Sequence, residues 1–199
     1  MSGSKIDFAT LVARRRGLIE APHLAKQAAA IVEALAQALR AGNKVLWFGN
    51  GGSAADAQHL AAEFSGRFRE ERPALPSEAL SVNTSALTAI GNDYGFERVF
   101  ARQVEAFVQK GDVVVGLTTS GNSPNVVAGL REAKRRGAVT IAFTGNGGGE
   151  IAQSADLVLM GPAGYSALVQ EVHITMGHII CELVEQALFS STSRTTNGD

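Results

Sequence analysis

Apolar residues recur at three- and four-residue spacing through residues 6–41, above all in "APHLAKQAAAIVEALAQALRAG". That segment reads as one or two helices with a stop at Gly42. The next run, "KVLWFGN", is too short for a helix and does not alternate, the pattern of a strand buried on both faces of a parallel sheet. The same punctuation of strand, polar turn and helix returns in "GDVVVGLTTSGNSPNVVAGLREAKRRG", again in "AVTIAFTGNGGGEIAQSA", and more faintly in "DLVLMGP". Such alternation implies a three-layer α/β domain around a mostly parallel sheet. Between the first two repeats, the pattern predicts a short strand near Glu78 to Val82 and helices over Thr84–Ile90 and Phe96–Val108. The C-terminal "SALVQEVHITMGHIICELVEQALF" predicts a helix apolar on most sides, buried against other subunits as well as its own sheet. Residues 1–192 are expected to form one domain and 193–199 a disordered tail.

Composition narrows the class. The 199 residues are 45% apolar and 19% charged, ordinary for a globular chain able to bury a sizeable core. A formal net charge of −1 offers no electrostatic case for nucleic acid or an anionic membrane as partner. Cys181 is the single cysteine, so no intrachain disulfide forms. No apolar signal-peptide core stands at the N-terminus and no segment approaches a transmembrane length, so the expected location is the cytoplasm.

Two polar turns carry the candidate chemistry. In open parallel sheets, ligands bind beyond the carboxyl ends of the strands. Both "GNGGSAAD" and "TTSGNSPN" fall there. Each presents backbone N–H groups, small hydroxyls and a helix start, the ingredients of an anion site. Thr118, Thr119, Ser120 and Ser123 supply four hydroxyls within six residues. Ser and Thr also serve simply as helix caps, but two such turns at equivalent positions favour a phosphate ligand. The dinucleotide fingerprint is incomplete in both turns and the P-loop lysine is absent, which points to a phosphorylated small molecule rather than NAD or ATP. His59 and Glu63, at i and i+4, share a helix face beside the first turn. The last helix adds Gln170, His173 and His178 in an apolar context, and such a cluster beside an anion site suggests acid–base chemistry or a metal.

With these residues assembled, "GNGGSAADAQHLAAEFSGRF", "LTAIGNDYGFERVFARQVEA", "TTSGNSPNV" and "VQEVHITMGH" resemble the phosphoheptose isomerases of the sugar isomerase (SIS) domain family, in register from about residue 10 to 190. The resemblance implies a five-stranded, mostly parallel sheet flanked by helices and a homotetrameric assembly. It also implies conversion of sedoheptulose 7-phosphate to D-glycero-D-manno-heptose 7-phosphate, the first step towards the heptose of lipopolysaccharide and other glycans. By matching positions, Ser53, Thr118, Thr119, Ser120 and Ser123 would hold the phosphate, with Asn50 and Gly51 shaping the first turn. Glu63 would move the proton between C1 and C2, and His178 would serve the substrate oxygens. Arg67, Asn92 and Asp93 fall in matched segments near the site, and Gln170 would face the sugar. Some members bind zinc through the counterparts of His59, Glu63, Gln170 and His178, which implies one Zn2+ per subunit here and no nucleotide cofactor. Ala167 and Leu168 stand where members usually carry polar residues and Arg.

Two alternatives come from other classes: a non-catalytic SIS relative that binds the bacterial replication initiator, and a sugar-phosphate sensor. Retention of Glu63 and His178 favours the enzyme. Gln170 and His178 are eight residues apart, about 12 Å of helix rise. The spacing therefore predicts a site shared between subunits, with His59 and Glu63 met by a residue of a neighbour's C-terminal helix.

Overall fold

The sheet has strand order β2-β1-β3-β4-β5, all neighbours parallel, from β1 (Val45–Gly49), β2 (Ser77–Ala79), β3 (Val113–Thr118), β4 (Val139–Thr144) and β5 (Leu157–Met160). The computed structural model describes residues 7–190, so the expected C-terminal tail lies outside the described residues. Every residue of β1 and β3 is buried, as their unalternating apolar runs predict. Successive side chains still point to opposite faces. Val45 and Trp47 join a core with Val115, Leu117 and Phe143, while Leu46 and Phe48 join a second core with Val114 and Ala142.

Helices α1 (Phe8–Ile19), α2 (Pro22–Arg40), α3 (Gly52–Ser65) and α8 (Ser166–Phe189) belong to the first side, α5 (Ala101–Phe107) and α6 (Pro124–Arg135) to the second. In α2, Pro22 sits at the start, where its missing N–H costs nothing, and Leu24, Ala28, Ile31 and Leu35 form the buried stripe. The remaining elements are α4 (Thr84–Tyr94), a 3-10 turn at Phe96–Arg98, and α7 (Gly149–Ser154).

Three elements differ from their sequence-based outlines. The second strand is only Ser77–Ala79, because Leu80 N–H still bonds Trp47 O but the chain then turns. Helix α4, capped by the Asn83 side chain accepting from Ala86 N–H at 3.0 Å, continues four residues beyond Ile90 and ends at Gly95 with φ +85°. The single helix expected over Phe96–Val108 is a 3-10 turn followed by α5, with Val99 and Phe100 buried between them; the Phe100 ring stacks on Phe48 at 4.8 Å. Helix α8 is also a correction: at 24 residues it is long and apolar enough to cross a membrane by length and composition. It is packed as a core helix instead, with Val169, Val172, Met176, Ile180 and Val184 buried.

Candidate active site

The strand order decides where the two polar turns go. From β1 the chain crosses to β2 at one edge, and from β3 it crosses to β4 on the other side, so the connections diverge and leave a crevice above β1 and β3. A cavity of about 280 Å3 lies there. The first turn lines it with Asn50, Gly51, Gly52 and Ser53, the second with Thr118, Thr119 and Ser123. The first turn of α8 adds Ser166 and Gln170. Helices α3, α6 and α8 all begin at its rim, where unpaired N–H groups and the positive dipole ends favour an anion. No Lys or Arg is among these lining residues. The cavity therefore offers an anion neutral donors: hydroxyls, amides and backbone N–H groups.

These residues hold one another in place. The Asn50 and Asn125 side chains exchange two amide hydrogen bonds, each 2.8 Å, and Asn125 is buried. Thr118 Oγ1 lies 2.8 Å from Ser123 Oγ and 3.4 Å from Ser120 Oγ, and Thr119 Oγ1 donates to Ser166 Oγ at 3.1 Å. Ser120 is not among the lining residues, and its hydroxyl accepts from Asn122 N–H at 3.2 Å. A Cβ at Gly52 would come within 2.7 Å of the Gln170 amide, so glycine there lets Gln170 reach over the start of α3.

From that point α3 and α8 run alongside each other in the same direction. One turn after another meets: Gly52 against Gln170, then Leu60 against Gly177, where an added Cβ would stand 2.7 Å from both Leu60 methyls. The absence of that Cβ brings the helices close enough for His59 Nε2 to lie 2.8 Å from His178 Nε2 and 3.2 Å from Glu63 Oε1. One ligand atom from each of His59, Glu63 and His178 lies within 4.8 Å of the others, a group able to hold a metal ion. Phe68 stacks on the His178 ring at 5.8 Å, which limits its rotation. The trio opens to solvent at His59, 52% exposed, while Glu63 is 19% exposed.

One chain thus supplies all three, and the expected neighbour's helix is not needed to bring an imidazole to His59 and Glu63. The geometric premise still holds: α8 is unbroken, and Gln170 is left at the cavity while His178 meets His59 two turns further on. Arg67 is exposed and 3.9 Å from Glu71, and Asn92 bonds Asp93 at 2.8 Å on the exposed side of α4. None of these three lines the cavity.

Several residues went unnoticed in the sequence. Asp56 stands on α3 between the cavity and the trio. Burial pushes its carboxyl up to about 6, against the pull of His59, and its Oδ2 is sealed without a hydrogen-bond partner. Its spacing, three before His59 and seven before Glu63, was the available signal. Asn125 and Ser166 gave none, because Asn and Ser are ordinary residues at helix starts. Arg72 and Glu185 form a buried ion pair at 2.7 Å, each 2% exposed. Arg72 also donates to Glu63 O at 2.7 Å, and Glu185 accepts from the N–H groups of Arg69 and Glu70 at 2.8 and 3.0 Å. Burial would raise the Glu185 pKa, but these donors and Arg72 outweigh it and hold the carboxyl below its ordinary value. The pair pins the loop after α3 to α8 just beyond the trio.

Residues 4–145 match the SIS domain family. The phosphoheptose isomerase of Aquifex aeolicus is 57% identical over 162 residues, covering 81% of this chain and 85% of the relative. That of Pelobacter propionicus is 53% identical over 190 residues, covering 92% and 98%. The chain belongs to the SIS domain family, among its phosphoheptose isomerases. The solved phosphoheptose isomerase of Neisseria gonorrhoeae superposes with a TM-score of 0.82 at 43% identity, over 87% of this chain and 92% of that one. In this chain the cavity and the His–Glu–His group both lie along the adjacent helices α3 and α8.

Proposed function

We propose that this aldose–ketose isomerase converts sedoheptulose 7-phosphate to D-glycero-D-manno-heptose 7-phosphate through an enediol, the step that commits a heptose to lipopolysaccharide or another glycan. One observation carries the reading. Seven residues of α3 separate Gly52 at the anion cavity from His59 in the trio, about 10 Å of helix rise, so an extended sugar phosphate laid along the groove brings its far end to a base and an acid. Ser53, Thr118, Thr119 and Ser123 bind the phosphate, with Asn50 and Gly51 shaping the wall and Ser120 supporting the turn. That anchorage fixes the reacting carbons and removes translational freedom before the chemistry. Glu63 takes the proton from one of C1 and C2 and returns it to the other, while His178 exchanges protons with the two oxygens. Gln170 faces the sugar between the two ends.

His59, Glu63 and His178 are donors of the types zinc takes, and their converging atoms suit it. Zn2+ held by these three would polarise the substrate oxygens, while Gln170, the remaining family ligand position, stands apart from them at the cavity. A homotetramer in the cytoplasm is the assembly and location we propose. The readings as a replication-initiator partner or a sensor are not favoured, since Glu63 and His178 both stand against His59 and the relatives above are isomerases.

Glu63→Gln tests the assignment. The variant should keep its affinity for inorganic phosphate and lose isomerisation by about 10²–10⁴-fold, the usual worth of a positioned general base. Aldose formation from sedoheptulose 7-phosphate at the wild-type rate would overturn Glu63 as the base.

A further inference from the structure

The turn after β4, "TGNGGGE", repeats the strand–turn–helix pattern, yet it lines neither the cavity nor the trio. Its backbone is left-handed at four successive residues: Asn146 at φ 52°, then Gly147, Gly148 and Gly149 at 80°, 95° and 59°. Asn146 is the one non-glycine residue with positive φ among the described residues. Asn reaches this region more readily than most residues, and the position spends that tolerance on a side chain a glycine would lack.

The Asn146 amide joins two other turns. Its Nδ2 donates to Thr119 O at 3.1 Å and to Gly164 O at 3.3 Å, and its Oδ1 accepts from Gly164 N–H at 2.8 Å. Its own N–H donates to Pro162 O at 3.2 Å. One side chain therefore ties the β3–α6 turn, which carries Thr118, Thr119 and Ser123, to the β5–α8 turn, which delivers Ser166 and Gln170. On the cavity wall the same two turns meet through the Thr119–Ser166 hydroxyl contact. A peptide unit is planar and trans, so holding the Thr119 carbonyl also sets the direction of the Ser120 N–H on the other side of that bond.

We propose that Asn146 is a positioning residue for the phosphate end of the substrate: it touches no substrate atom and sets the separation between the hydroxyl turn and the start of α8. The proposal rests on the reading of this cavity as the phosphate site. The trio lies two turns away along α3 and shares none of these bonds, so the effect falls on binding rather than on proton transfer.

Asn146→Gly removes the amide while leaving the left-handed backbone unstrained. It should raise KM for sedoheptulose 7-phosphate and the inhibition constant of inorganic phosphate together, about five- to tenfold, with kcat held within about twofold, as expected when hydrogen bonds of ordinary strength are lost from uniform binding. Asn146→Asp keeps the acceptor for Gly164 N–H but sets a carboxylate against two carbonyl oxygens, and should weaken both constants at least as much. Ser123→Ala serves as the control for the cavity itself. Unchanged constants in both Asn146 variants beside a weakened Ser123→Ala would overturn the staple and leave the phosphate site standing. Unchanged phosphate inhibition in all three would overturn the cavity reading and the staple with it. A fall in kcat at constant KM would also count against positioning.

Discussion

His173 shows how one buried side chain can make the whole fold pH-dependent. Its Nε2 lies 3.0 Å from Thr144 O, which can only accept, so the ring proton sits on Nε2 and Nδ1 is a sealed acceptor without a partner. Burial pulls the imidazole down to about 4, against the bond to Thr144, which favours the protonated form. In the unfolded chain the ring titrates near 6.5, so the folded state binds its proton more weakly. The stability from keeping His173 neutral is therefore complete above about pH 6.5 and is lost as pH falls towards 4, about 3 kcal/mol at most. His173→Gln can keep the donor to Thr144 and cannot titrate. Urea unfolding of the two proteins at pH 7 and pH 4.5 should show a smaller loss for the variant, and equal losses would mean another group carries the acid sensitivity.

At the level of elements, the parallel pair of α3 and α8 is what makes a site from scattered residues, and Gly177 sets its spacing. An exposed helical Gly→Ala change is normally stabilising by up to about 1 kcal/mol. Here the new methyl would meet Leu60 at 2.7 Å, so Gly177→Ala should instead cost about 1–3 kcal/mol by overpacking. It should also lower kcat, because the helices that carry His59 and His178 must separate. Adding Leu60→Ala makes room for the methyl, and the double variant should be less destabilised than the sum of the singles. Additive losses in a double-mutant cycle would show that the helix spacing is not controlled at this contact. The Arg72–Glu185 pair serves the same interface, and removing one partner would strand a buried charge.

On the scale of the whole molecule, much apolar surface is left without cover. Helices α1 and α4 have no buried residue. Phe8, Val12, Tyr94, Phe96, Ile179 and Leu183 are all exposed. Self-association would cover such surface, and we expect a tetramer by light scattering at micromolar concentration; a monomer there would contradict it. Arg67, Asn92 and Asp93, exposed and apart from their own cavity, could then reach substrate only in the assembly. The acid–base pair behaves differently, because one chain holds both members. Mixing Glu63→Gln with His178→Ala protein under proven subunit exchange should restore no activity, and partial recovery would show that the pair is drawn from two chains.

The sequence by itself determined the strands and most helices, because apolar runs such as "VLWFG" and the stripe of α2 record burial directly. It also marked both polar turns, whose Gly, Ser and Thr residues follow from local backbone needs. Where local pattern was weak, over residues 73–110, the boundaries were wrong by several residues. Only the tertiary structure decided which marked residues meet. The 2-1-3-4-5 strand order put the turns after β1 and β3 around one crevice. The close α3–α8 contact put His178 beside His59 and left Gln170 at the cavity. Asp56, Asn125, Asn146 and Ser166 acquired partners 18 to 75 positions away or a buried setting that no window of sequence contains. Such contacts depend on how elements stack, which is set by packing across the whole core and has no period along the chain.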